Sequence, residues 1–228
     1  MIKAIAFDLD DTLLNTTEIL IPFAIRRIYD LLCQKGFKDS FEVFNQNRIS
    51  FVGHSSHREF FKQTVASNPQ LLADPGLADV LIQYFYQPEI PEKMPLIEGA
   101  EENLEILSTK YKLYVVTSGV EPTQKQKIKA LGLERWIPVA NQFIVDGNGI
   151  KTKKQAFEML LKQESILACE LLSFGNRLSQ EIRMAKEIGA QTCYFQFGEH
   201  ANDIPKDAFE KADFTIQTQK ELITTCRL

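Results

Sequence analysis

Short apolar runs that end in small or polar residues recur through the second half of the chain, separated by longer stretches with apolar residues three and four apart. The runs Lys112–Val116, Phe143–Val145, Leu171–Phe174, Gln191–Phe195 and Asp213–Ile216 predict strands. Pro122–Leu131, Lys153–Lys162, Ser179–Ile188 and Gln219–Thr224 predict the helices between and after them. Such alternation builds βαβ units on a parallel sheet. Lys3–Phe7 is a further strand at the start of the chain. From Asn15 to Pro95 the pattern changes to long amphipathic segments such as Ile21–Leu32 and Arg58–Val65, which predict an all-helical insertion. Its exit, Gln87–Pro95, holds three prolines in nine residues and reads as a semi-rigid hinge. Asp146-Gly147-Asn148-Gly149 is a turn signal that predicts a small hairpin. Gly198–Lys206 is a polar loop placed to flank one edge of the sheet.

With 228 residues, 44% of them hydrophobic, the chain can bury a substantial core. The net charge of -4 and the lack of a Lys/Arg block speak against nucleic acid or a membrane surface as partner. No apolar run approaches the roughly 18 residues of a membrane span, which leads to the expectation of a cytoplasmic protein. Cys33, Cys169, Cys193 and Cys226 are scattered, without CxxC or metal-ligand spacing to the histidines, and read as reduced packing residues.

Candidate chemistry gathers where strands end. Asp8-Leu9-Asp10-Asp11-Thr12 crowds three carboxylates and a hydroxyl at the end of the first strand. In an open α/β sheet, ligands bind outside the carboxyl ends of the strands, so these acids are candidates for work on a phosphate or a metal. The alternative is a polar strand exit with Asp11 or Thr12 capping a following helix. Thr117-Ser118-Gly119, after the second core strand, offers a hydroxyl followed by small residues that let backbone amides approach a phosphate, or else a plain turn. Ser173-Phe174-Gly175-Asn176 with Glu181 stands at the end of a later strand, and Lys151, Lys153 and Lys154 precede a helix. In the insertion, Gly53-His54-Ser55-Ser56-His57-Arg58 is the most polar and cationic knot.

Together these four places resemble the haloacid dehalogenase-like hydrolase superfamily, in its DxDxT phosphatase form with a helical cap between the first two motifs. The resemblance implies an α/β fold, a Rossmann-like parallel sheet core formed by 1–14 and 96–228, with the inserted cap domain at 15–95. It implies Asp8 as the nucleophile that forms an aspartyl phosphate, and Asp10 as general acid and base. Thr117 and Lys153 then bind the transferring phosphoryl group, with Ser118 and Gly119 beside it, Lys151 and Lys154 being the other candidate lysines. Mg²⁺ is the implied cofactor, held by Asp8, the Asp10 carbonyl, Asn176 and Glu181. Asn176 departs from the family's aspartate and brings no charge to the metal. In the cap, His54, His57 and Arg58 are expected to contact an anionic or hydroxylated substrate. The implied activity is hydrolysis of a small phosphorylated metabolite. Two other readings follow from Asn176: a binding protein that has lost metal chemistry, and a metal-independent dehalogenase, against which Asp10 speaks. Oligomeric state is left open.

Overall fold

The computed structural model describes residues 1–53, 55–146 and 150–228. The chain divides into two compact units, one of residues 1–16 and 90–228 and the other of 17–89. The expected hairpin at Asp146–Gly149 falls largely outside the described residues, as does His54.

β1 (Ala4–Phe7) opens the first unit and is buried along its whole length. Helices α1 (Thr16–Ile19), α2 (Ile21–Gln34), α3 (Phe41–Val52), α4 (His57–Ala66) and α5 (Leu77–Tyr86) come next. The second unit has its own core, in which Ile25, Ile28 and Leu32 of α2 meet Phe44, Phe60, Phe61 and Leu81. It contains helices and one short helical turn, Pro69–Leu71, with no strand among its described residues. The spacing of Ile25, Ile28 and Leu32 is the three-and-four stripe that buries one helix face.

The rest of the first unit runs α6 (Ala100–Ser108), β2 (Lys112–Ser118), α7 (Glu121–Ala130), β3 (Gln142–Val145), α8 (Lys153–Glu164), β4 (Leu171–Gly175), α9 (Arg183–Lys186), β5 (Gln191–Phe195), β6 (Phe214–Ile216) and α10 (Leu222–Cys226). The six strands form one parallel sheet in the order β3-β2-β1-β4-β5-β6. A strand covered on both faces has no polar face to show, which is why these strands read as apolar runs. The helix expected over Ser179–Ile188 is not uniform: residues Leu178–Ile182 form a wide turn of π type before α9 begins. Such widened turns re-aim the side chains they carry, and this one carries Glu181.

Register brings the strand ends level. Phe7 pairs with Val115 of β2 and with Phe174 of β4. Asp8, Thr117 and Asn176 therefore leave the sheet at one edge, the carboxyl edge expected to hold a ligand. β1 lies in the middle of this edge, where the strand order reverses direction.

Two expectations need correction. Cys193 and Cys226 are buried, but Cys33 and Cys169 are exposed, since they fall on the outer face of α2 and in a surface turn, and so do not pack. Neither Asp11 nor Thr12 stands at the start of the helix that follows, because the chain turns back after Asp10 and α1 begins only at Thr16. Asp11 instead takes φ +53°, the left-handed region that costs a residue with a Cβ about 1 kcal/mol. A Cβ added to Gly198 would lie 2.7 Å from Asp11 Cβ and closer still to its carboxylate, so the loop after β5 presses its glycine against this turn. Asp11→Gly is accordingly expected to leave thermal stability within about 1 kcal/mol, while Asp11→Val, β-branched at positive φ, costs roughly 2 kcal/mol or more by denaturant titration. Equal stability of the two variants would show that the backbone there relaxes without strain.

Candidate active site

Asp8 follows β1 directly, and its N–H donates to Phe174 O at 2.9 Å, which continues the sheet register by one residue. Its side chain is buried. Asp8 Oδ1 accepts from Lys153 Nζ at 2.5 Å. Lys153 begins α8, where Thr152 Oγ1 caps the helix by accepting from Gln155 N at 3.1 Å. The same ammonium is paired with Glu181 Oε1. Of the three candidate lysines, Lys153 is the one in the site: Lys151 is exposed, and Lys154 pairs with Glu187 at 3.2 Å on the surface.

The wide turn after β4 explains how Glu181 reaches Lys153. Glu181 Oε2 accepts from Arg177 N at 2.9 Å, and Ser173 Oγ donates to Glu181 O at 3.0 Å. A Cβ on Gly175 would lie 2.9 Å from both Glu181 Cβ and Cδ, and nearer to Cγ. A residue with a side chain at 175 would exclude Glu181 from this position. Glu181, expected among the metal ligands, has Lys153 on one oxygen and Arg177 N on the other. Asn176 donates from Nδ2 to Phe197 O at 3.1 Å, which fixes the amide and leaves Oδ1 as its acceptor.

Asp10 sits on the loop beyond β1 with its side chain 32% exposed. Its Oδ1 accepts from Thr16 Oγ1 at 2.5 Å and from Lys127 Nζ at 2.7 Å. Its Oδ2 accepts from Gln124 Nε2 at 3.0 Å. Gln124 and Lys127 are buried residues three apart on α7, and neither stood out in the sequence. Gln124 Nε2 also donates to Thr117 Oγ1 at 2.7 Å. Because Thr117 accepts that proton, its own O–H is free to donate away from α7. Ser118 is exposed at the strand end. Gly119 departs from expectation: its N–H donates to Val145 O at 3.3 Å instead of facing outward. Its φ of +146° and missing side chain admit Gln124, whose Cδ would lie 3.2 Å from a Cβ there.

Charge is divided unevenly between the two acids. Burial pushes Asp8 up to about 7 against the pull of Lys153, with Glu181 and Asp10 adding to the rise. Burial also works against the Asp10 carboxylate, but Lys127 and the hydrogen bonds from Lys127, Thr16 and Gln124 outweigh it and hold Asp10 below the usual range. Lys153, opposed by burial, is held above its ordinary value by Asp8 and Glu181. Without a cation, the site thus sets a buried carboxyl raised towards neutral pH beside a carboxylate held low.

Among the described residues no three His, Cys, Asp or Glu side chains gather into a metal cage. The donors on offer are the second Asp8 oxygen, the Asp10 carbonyl and Asn176 Oδ1. All are hard oxygens, so the set fits a hard divalent cation with little ligand charge.

A family model described as haloacid dehalogenase-like hydrolase matches residues 2–189. The chain belongs to the haloacid dehalogenase-like hydrolases. It is 28% identical over 227 residues to a glyceraldehyde 3-phosphate phosphatase of Methanocaldococcus jannaschii, covering 98% of this chain and 96% of that one. A second phosphatase of that name, from Pyrococcus abyssi, is 28% identical over 87% of this chain and 83% of its own. Among solved structures, the HAD-hydrolase YfnB of Bacillus subtilis bound to magnesium superposes with a TM-score of 0.69 at 20% identity, covering 98% and 97% of the two chains. That likeness is one of fold, and the six-stranded parallel sheet with its helices is the hydrolase fold of this family.

In the helical unit, Ser56 caps α4 by accepting from Glu59 N at 3.2 Å, so the polar knot there is a helix start. His57 is buried, stacked on Phe85 with ring centroids 4.0 Å apart, and its Nε2 meets Arg48 Nη1 at 2.8 Å. Arg58 is exposed, with its guanidinium 5.5 Å from the Tyr86 ring centre. His57 is thus buried within its own unit, whereas Arg58 is exposed. No helix among the described residues is long and apolar enough to cross a membrane.

Proposed function

We propose that this hydrolase is a phosphatase acting on a small phosphorylated metabolite through an aspartyl phosphate on Asp8. The observation that carries the reading is a buried carboxylate at the end of the central strand, 2.5 Å from a buried lysine and two residues before an ionised aspartate. An Asp8 oxygen attacks phosphorus, and the bond to the leaving oxygen breaks. Asp10, ionised in the empty site, takes up a proton as the phosphate dianion arrives beside it, gives that proton to the leaving oxygen, and the alcohol leaves. Asp10 then takes a proton from water, whose oxygen attacks phosphorus; inorganic phosphate departs and Asp8 is restored. Lys153 and the outward O–H of Thr117 receive the phosphoryl oxygens.

Magnesium is the cation we assign to Asp8, the Asp10 carbonyl and Asn176 Oδ1, where it supplies positive charge that lets a carboxylate approach a phosphate dianion. The neutral Asn176 makes that site weaker than one with a third carboxylate. The names of the relatives make a three-carbon phosphate such as glyceraldehyde 3-phosphate the first substrate to try.

The test is phosphate release from a panel of sugar phosphates, triose phosphates and p-nitrophenyl phosphate, with Mg²⁺ and with chelator. Turnover that depends on Mg²⁺ is expected, and Asn176→Asp is expected to lower the Mg²⁺ concentration for half-maximal rate about 10-fold. Silence across the panel with folded, Mg²⁺-loaded protein would overturn the reading. Halide release from a haloacid without metal would replace it with dehalogenation.

A further inference from the structure

We infer that Gln124 and Lys127 of α7 are positioning residues that hold Asp10 for proton transfer to the leaving group and couple it to Thr117. The inference rests on the phosphohydrolase reading and adds residues to it. Lys127 has only 8% of its side chain exposed, and among the described residues Asp10 is the hydrogen-bond acceptor of its ammonium. Burying an ammonium is costly, and a methionine or leucine would fill the same space without that cost. What the lysine adds to the fold is thus its bond to Asp10. Gln124, one turn earlier, joins the other Asp10 oxygen to the Thr117 hydroxyl through a single nitrogen.

This places the two carboxylate oxygens of Asp10 by three donors from two segments, Thr16 at the start of α1 and the α7 pair more than 100 residues away. Without these donors a carboxylate that is 32% exposed would populate several rotamers, and misplacement by about 1 Å can cost roughly 100-fold in rate. Gln124 has a second effect. Donating to Thr117 Oγ1 turns the hydroxyl proton outward, so one amide sets both the acid and the phosphoryl donor. Gly119 is the residue whose missing side chain makes room for it.

Leaving-group dependence tests the inference. Departure of an alkoxide needs a proton from Asp10, whereas p-nitrophenolate leaves without one. The quantity kcat/KM reports steps through release of the first product and omits hydrolysis of the intermediate. Lys127→Met is therefore expected to lower kcat/KM about 10–100-fold on the best alkyl phosphate of the panel and less than about 3-fold on p-nitrophenyl phosphate. Lys127→Arg, which keeps charge and reach, is expected to restore most of the alkyl activity. Gln124→Met frees Thr117 as well and is expected to lower both substrates about 10-fold, the alkyl one further. It carries the same comparison should Lys127→Met fail to fold. Equal losses on the two substrates, no loss at all, or an arginine variant as impaired as the methionine one would overturn the inference while leaving the phosphatase reading intact. An inactive wild type would instead overturn the reading, and the inference with it.

Discussion

Asp8→Asn is expected to lower phosphate release at least about 1,000-fold while making the metal-free protein more stable above pH 7. The loss of rate follows from the removal of the attacking oxygen's charge. The stability gain follows from the site's electrostatics. Two buried carboxylates share Lys153, and burial already pushes Asp8 up to about 7. Between about pH 4 and pH 7 the folded protein keeps a proton that the unfolded chain releases, so this group makes stability fall as pH rises through that window. Above it, the folded state carries the full cost of a buried anion. Asparagine keeps an oxygen for Lys153 without the charge, and it leaves Lys153 and Glu181 as a neutral pair.

The expected gain at pH 8 is on the order of 2 kcal/mol, read as a rise in Tm and as a flatter dependence of Tm on pH than in wild type. The sign reverses with the cofactor: Mg²⁺ raises the Tm of wild type more than that of the variant, because only wild type offers it a carboxylate at position 8. A variant that is inactive and less stable than metal-free wild type at pH 8 would mean that the attraction between Asp8 and Lys153 outweighs burial, and the charge account of the site would fail.

How much of this was legible in the sequence depends on what each residue does. The six strands are apolar runs because the parallel sheet covers both their faces, and the acids of the first motif stand out because charge follows a buried strand so abruptly. Gln124 and Lys127 were not visible, since Pro-Thr-Gln-Lys-Gln-Lys reads as a solvated helix face. One signal was present. The stretch Pro122–Leu131 has only Ile128, Ala130 and Leu131 as apolar residues, too few to cover a sheet, so polar side chains had to fill the remainder of the buried face. The wide turn that carries Glu181 was also hidden, because hydrophobic spacing does not distinguish an i→i+5 turn from the start of an ordinary helix. Asp11 likewise gave no local sign of its left-handed backbone, which follows from the tertiary route of the loop.

Gly175→Ala is expected to be among the most damaging single-methyl changes in the chain. The glycine closes β4, and nothing in its backbone demands glycine, since its φ is not positive. Space does. The added methyl meets three carbons of Glu181, a side chain fixed at both ends by Lys153 and Arg177 N and so unable to swing aside. Overpacking and loosening of a buried ion pair together suggest a loss of about 3 kcal/mol, or roughly 6–12 °C in Tm. Activity suffers through Lys153, which loses the partner that aims it at Asp8, and kcat is expected to fall about 10–100-fold. A double-mutant cycle with Glu181→Ala separates crowding from other causes, because removing Cγ and Cδ takes away most of the collision. If Gly175→Ala costs much less in that background, Glu181 is the group the glycine makes room for. If the costs simply add, β4 needs glycine at its end for a reason unrelated to Glu181, and the link from Gly175 through Glu181 to Lys153 is broken.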